Sequence, residues 1–133
     1  AVFYQVYPRS FADSDGDGVG DLDGLADRLD HLEELGVDGI WLNPVTVSPM
    51  ADHGYDVADP RDIDPLFGGT AAFERLVTAA HARGIKVTMD VVPNHSSSQH
   101  PWFQDALAAG PGSAERDRYY FRDGRGADGQ LPP

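Results

Sequence analysis

Three short stretches of this sequence gather side chains able to do chemistry. The first is Asp90-Val91-Val92-Pro93-Asn94-His95, a carboxylate, an amide and an imidazole that follow directly on the apolar run Ile85-Lys86-Val87-Thr88-Met89. If that run is a strand, these groups emerge at its carboxyl end, where parallel α/β proteins collect their binding and catalytic side chains. His95 suits a hydrogen bond to a hydroxyl or the donation of a proton; read without partners, it is an ordinary surface histidine. The second stretch, Ala51-Asp52-His53-Gly54-Tyr55-Asp56-Val57, sets carboxylates beside an aromatic ring. Aromatic rings stack on the C–H faces of pyranose sugars, and carboxylates accept hydrogen bonds from hydroxyls. A loop merely packed down by Tyr55 and Val57 would carry the same letters.

The third stretch is Asp13-Ser14-Asp15-Gly16-Asp17-Gly18-Val19-Gly20-Asp21, with carboxylates at relative positions 1, 3, 5 and 9. Alternate oxygens in a tight loop converge on one hard cation, calcium first and magnesium second, and glycines supply the positive backbone angles such a turn needs. The main-chain carbonyl of Val19 stands at relative position 7, where calcium loops often contribute an oxygen. An EF-hand needs a bidentate Glu at position 12, and Gly24 occupies it here, so this is no EF-hand. An ion here would be structural. The plainer alternative is a solvated acidic turn whose Asp residues cap the next helix.

The elements that must position these groups read as follows. Val2 to Tyr7 is a strand by its aromatic and β-branched content. Leu22, Leu25, Leu29, Leu32 and Leu35 recur at helical spacing, and Gly36 ends that helix. Val37 to Leu42 is a second strand, and Asn43 to Phe67 a long loop without periodicity, a length usually associated with function. Thr70 is positioned to cap a helix whose apolar face is Phe73, Leu76, Val77 and Ala80, with Gly84 as its stop. Ile85 to Val92 is the third strand. Pro101 opens a short helix through Trp102, Phe103 and Leu107, and Gly110 to Pro133 reads as loop. Strand, helix, strand, helix, strand is the pattern of a parallel α/β unit. No Gly-rich phosphate loop follows the first strand, which disfavours a dinucleotide fold.

With 22 acidic against 10 basic side chains, the formal net charge is −12, which repels phosphate backbones and argues against nucleic acid as a partner. No apolar stretch approaches the ~20 residues of a membrane span, so no membrane partner is expected. Cysteine is absent, which excludes disulfides. There is no His/Cys cluster with zinc spacing and no serine nucleophile elbow. The chain opens on a strand without Met or a signal-peptide pattern and closes on Leu131-Pro132-Pro133. Both ends read as cut points in a longer polypeptide, and the expected compartment is cytoplasmic.

Together with Gln5-Val6-Tyr7-Pro8-Arg9-Ser10-Phe11, the three stretches stand in an order that resembles the α-amylase family of glycoside hydrolases, over nearly the whole chain. The resemblance is strongest to the α-glucosidase and oligo-1,6-glucosidase branch. It implies an α/β fold made of the first three repeats of a TIM (β/α)8 barrel, residues 1–93, plus the start of the domain inserted after strand 3, residues 94–133. It implies that Asp13, Asp15, Asp17 and Asp21 ligate calcium or magnesium through side chains and Val19 through its carbonyl. Tyr55 would stack on the glucose just before the scissile bond, His95 would hydrogen-bond that glucose, and Asp52 would hold the non-reducing end, as in exo-acting members. Asp90 would anchor an arginine from further along the family's chain.

The family's retaining hydrolysis uses a nucleophile and a general acid/base about 5–5.5 Å apart. The resemblance assigns these to an Asp after the fourth strand and a Glu after the fifth, positions outside these 133 residues. No catalytic residue is therefore expected in this segment, which would be inactive without the rest of its barrel. The substrates implied are malto- or isomalto-oligosaccharides. Pro60 stands where many relatives have Tyr, and Asn43-Pro44-Val45-Thr46-Val47 lacks aromatic residues often found there, so substrate preference departs from the pattern most. Three other readings compete: a trehalose synthase or transglycosylase of the same family, a non-catalytic relative serving as a binding or scaffold subunit, and an unrelated small calcium-binding module.

Overall fold

The structure, a computed structural model, describes residues 1–122 and 124. It divides into two compact units, Ala1–Ser97 and Ser98–Pro133. In the first unit, β1 (Phe3–Val6) runs into a short helix α1 (Pro8–Phe11) that opens on proline, where a missing N–H costs nothing. The leucine run then forms two helices, α2 (Leu22–Ala26) and α3 (Leu29–Glu34), in place of the single helix expected. At the break Arg28 has φ −105° and ψ 6°, and its N–H bonds the carbonyl of Leu25, one residue short of helical spacing. The apolar stripe survives the break: Leu22, Leu25, Leu29 and Leu32 are all fully buried, while Leu35 at the α3 C-cap lies 54% exposed.

After β2 (Gly39–Leu42) the expected long loop contains an antiparallel pair, β3 (Thr46–Val47) and β4 (Asp59–Ile63), with an irregularity between Thr46 and Val47. The pair escapes sequence reading because Asp59-Pro60-Arg61-Asp62-Ile63 has only one buried side chain, Ile63, and hence no apolar alternation. A 3-10 turn (Pro65–Phe67) leads to α4 (Gly69–Ala82). Gly68, at φ 98°, occupies the N-cap, and the Thr70 hydroxyl donates to Asp62 Oδ1 at 2.6 Å instead of capping. The strand after it, β5 (Lys86–Met89), is shorter than the predicted Ile85–Val92.

β1, β2 and β5 form a parallel sheet in that order, with Tyr4, Ile40 and Val87 in one row and Val6, Leu42 and Met89 in another. Successive side chains point to opposite faces. Val6, Ile40 and Leu42 are buried in one cluster with the α2 and α3 leucines and with Ala72, Leu76 and Ala80 of α4. The other face carries Phe3, Gln5, Trp41, Lys86 and Thr88, with Phe3 47% and Trp41 39% exposed. Parallel sheets are ordinarily covered on both faces, so one helix layer leaves this sheet half-dressed.

In the second unit, α5 (Pro101–Ala109) is capped by His100, whose Nδ1 accepts from the Trp102 N–H at 3.0 Å. Only Ala106 of this helix is buried; Trp102 and Leu107 are about half exposed. Phe103 meets Tyr119 edge-on and stacks on Phe121. A 3-10 turn at Arg116–Arg118 interrupts the loop expected from Gly110 onward, the end of which lies outside the described residues. Among the described residues no helix is long and apolar enough to cross a membrane.

Candidate functional site

The residues that follow the three parallel strands meet at one end of the sheet. The Asn43 N–H bonds the Val6 carbonyl at 3.0 Å and the Asp90 N–H bonds the Leu42 carbonyl at 3.1 Å, so the ladder continues one step beyond β2 and β5. Asp90 is thereby held beside Asn43, and both reach Tyr55 from the loop after β2. The Tyr55 hydroxyl donates to Asp90 Oδ2 at 2.5 Å and accepts from Asn43 Nδ2 at 2.9 Å. The other oxygen of Asp90 accepts from Trp41 Nε1 at 2.5 Å, and Asn43 Oδ1 accepts from Gln5 Nε2 at 3.0 Å. The bond to Asp90, and to a lesser degree burial, holds the Tyr55 phenol above its ordinary value of 10.0.

The loop that carries Tyr55 is organised by Asp56. Its carboxylate accepts from the Ser48 hydroxyl and from the N–H groups of Ala51 and Asp52, all at 2.9–3.0 Å. Partial burial pushes the Asp56 pKa up, but these donors outweigh it, and the group ends below its ordinary 3.8. The turn they brace holds Met50, His53 and Gly54 at φ 59°, 55° and 99°. A Cβ at Gly54 would lie 2.8 Å from the Pro44 carbonyl, so both the angle and the space require glycine. Asp52 stands exposed on this turn, and among the described residues no hydrogen bond or ion pair engages its carboxylate. His53 meets the Tyr7 hydroxyl through Nδ1 at 3.1 Å.

His95 closes the cluster from the other side, with Nε2 3.0 Å from the Tyr55 carbonyl and Nδ1 3.3 Å from Asn94 Nδ2. A carbonyl only accepts, so Nε2 bears the proton and Nδ1 receives the Asn94 amide. Tyr55, His95 and Asp90 are thus brought together, and Asp52 lies on the same turn as Tyr55. Sequence reading missed Gln5, Trp41, Asn43 and Asp56. The signal for the first two was there: each alternates with a core residue along its strand and must face the opposite side.

In the acidic loop, carboxylate oxygens of Asp13, Asp15 and Asp21 all lie within 4.8 Å of one another. Asp13 accepts from the N–H groups of Asp15, Gly16 and Gly18, Asp15 from that of Asp17, and Asp17 from that of Val19. Asp17 stands outside the group of three. Asp21 is buried and accepts from Gly24 N–H at 2.6 Å, which caps α2, and from the N–H and hydroxyl of Ser14. The N–H groups of Gly16 and Gly18 hold Asp13 below its ordinary 3.8. For Asp21 burial acts in the opposite direction and is outweighed by the Gly24 and Ser14 donors. The loop lies hard against α1: a Cβ at Gly20 would come 2.1 Å from the Pro8 carbonyl. Three carboxylates this close repel one another, and each keeps lone pairs free beyond its N–H donors, a set suited to a hard oxygen-seeking cation.

A sequence profile of the alpha-amylase family, described as alpha amylase, catalytic domain, matches residues 5–133. Palatinase from Erwinia rhapontici is 52% identical over 99% of this chain, which covers 24% of that protein. Oligo-1,6-glucosidase from Heyndrickxia coagulans is 49% identical over 99% of this chain, which covers 23% of it. The crystal structure of the trehalulose synthase MutB from Pseudomonas mesoacidophila MX-45 superimposes with a TM-score of 0.90 at 48% identity, covering 96% of this chain and 23% of that one. The chain thus spans about a quarter of the length of the relatives it matches.

Proposed function

The chain belongs to the alpha-amylase family, and from that premise we propose that it forms the terminal-glucose-binding side of a retaining α-glucosidase acting on malto- or isomalto-oligosaccharides. One observation carries the reading: Tyr55, from the loop after β2, and Asp90, from the end of β5, share a hydrogen bond at the carboxyl ends of parallel strands. β1, β2 and β5 are read as the first three strands of a TIM barrel, with residues 94–133 opening an inserted domain. The Tyr55 ring supplies a stacking face, the unengaged carboxylate of Asp52 accepts hydroxyls of the non-reducing end, and a sugar hydroxyl competes with the Tyr55 carbonyl for the His95 Nε2 proton. Asp90 orients Tyr55, and the lone pairs its oxygens keep beyond the Tyr55 and Trp41 donors can accept from an arginine of the rest of the barrel without the carboxylate turning. The nucleophile and the general acid/base come from later strands, so these 133 residues alone are inactive.

The acidic loop is read as a structural calcium or magnesium site, with Asp13, Asp15 and Asp21 as ligands and Asp17 and the Val19 carbonyl completing it. Bound there, the cation would tie the loop after β1 to the start of α2 and would activate no water.

The test is an assay of the full-length polypeptide on maltose and isomaltose, with separation of all products. Glucose released with retained anomeric configuration supports the reading. Rearranged or lengthened saccharides would move it to isomerisation or transfer, a second reading favoured by the likeness to a protein named trehalulose synthase. Hydrolysis of an aryl α-glucoside by the pure 133-residue chain would overturn the assignment of catalysis to later strands.

A further inference from the structure

We propose that Gln5 and Asn43 are positioning residues for Tyr55, and that together they fix which way its hydroxyl proton points. This rests on the reading above that Tyr55 receives the sugar. The four side chains form one unbroken relay across the sheet, from Gln5 on β1 through Asn43 after β2 to Tyr55 and then Asp90 after β5.

The polarity of the relay follows from its end. A carboxylate only accepts, so Tyr55 must spend its single proton on Asp90. The phenolic oxygen is then left as an acceptor, and Asn43 has to present its NH2 rather than its carbonyl. That leaves Asn43 Oδ1 facing Gln5, which must donate. Each amide is used at the end the chain of donors demands, and Asn43 is buried at 9% exposure, so a wrong orientation would set like groups against each other at a site largely shielded from solvent. The second oxygen of Asp90 is held by the Trp41 indole, which stops the carboxylate from swinging toward another donor. The ring of Tyr55 is thus braced at its hydroxyl by two strand-borne groups and at its main-chain carbonyl by His95. Gln5 lies at the far end of the relay and acts on Tyr55 only through Asn43.

Two near-isosteric changes reverse the relay without emptying space. Gln5→Glu puts an acceptor where a donor stood, on an exposed strand position; the Asn43 amide must then turn and offer Tyr55 its carbonyl, which competes with Asp90 for the proton. Asn43→Asp makes the same conflict directly. In the full-length polypeptide, each is expected to raise KM for the terminal glucoside about tenfold with kcat little changed, the size of one lost hydrogen bond to a charged network. Both effects should fall below about twofold in a Tyr55→Phe background, since without the hydroxyl there is no proton to direct. Equal effects in both backgrounds would make Gln5 and Asn43 structural residues and overturn the proposal. Tyrosine labelled with 13C at the ζ carbon gives a readout independent of activity, with the Tyr55 resonance assigned by its loss in Tyr55→Phe. A shift of that resonance in Gln5→Glu supports the relay even if the full chain hydrolyses neither maltose nor isomaltose, an outcome that would sink the functional reading alone. A resonance unmoved in both variants would overturn the relay.

Discussion

The Tyr55 hydroxyl and the Asp90 carboxylate stand 2.5 Å apart although they come from different loops of the sheet. Their bond is the point at which the turn after β2 is tied to the end of β5. Asp90 also takes the Trp41 indole N–H, so a single carboxylate satisfies donors from two elements. Hydrogen bonds to a charged group contribute more than neutral ones, and removing the acceptor leaves both donors without a partner. Asp90→Ala should therefore lower the stability of the full-length polypeptide by about 1–2 kcal/mol, after allowance for the partial exposure of the site. Urea unfolding checks this; a midpoint within error of wild type would show that solvent replaces the carboxylate at no cost.

The acidic loop separates two roles that coincide in one residue. Asp21 both faces the other carboxylates and caps α2 through the Gly24 N–H. Asp15 shares the first role without the second. If a cation binds, calcium should raise the melting temperature of wild type, and Asp15→Ala should abolish that increment while leaving the metal-free protein close to wild type. Asp21→Ala should abolish the increment and also lower metal-free stability by about 1 kcal/mol, the usual loss for an N-cap. Melting curves in calcium and in chelator decide it: a wild type indifferent to both would leave Asp21 as a cap and no more.

Much of this site was legible in the sequence because its parts are local. Asp13 to Asp21 is one loop, Asp52 to Asp56 one turn, and Asp90 to His95 one strand end, so spacing keeps each group local, although Asp17 stands apart from the other three carboxylates of its loop. What escaped was what depends on strand register. Nothing in the letters of Asn43 says that it lies beside Asp90; that follows from Leu42 pairing with Met89. The fold divides the same way. Leucine periodicity found the helical stripe but not its break at Arg28, because the stripe continues through the break. β4 had no signal at all, since four of its five residues are exposed.

Gly54 offers a test of how far the turn constrains the site. It combines φ 99° with a Cβ position only 2.8 Å from the Pro44 carbonyl. Gly54→Ala meets both obstacles and should destabilise the protein by about 1–3 kcal/mol. Because Asp52, His53 and Tyr55 flank it, the same change should raise KM more than it lowers kcat. A variant with wild-type stability and unchanged KM would show that the turn adapts freely.

Acid should weaken this part of the protein through three carboxylates. Asp13, Asp21 and Asp56 all lie below the ordinary 3.8 in the folded chain, Asp13 because N–H groups donate to it, the other two because their donors outweigh the burial that opposes them. A group whose pKa is depressed by folding binds fewer protons in the native than in the unfolded state. Its contribution is complete above the unfolded value and is lost as the pH falls through the folded one. Stability from these groups is therefore level above about pH 5 and declines below about pH 4. Asp56→Asn keeps the shape and one acceptor oxygen but cannot titrate. Its urea midpoint should lie below wild type at neutral pH, and the two curves should converge as the pH is lowered toward 2–3. Curves that stay parallel across that range would mean that Asp56 braces the turn by shape alone, and that the acid sensitivity belongs to the carboxylates of the loop after β1.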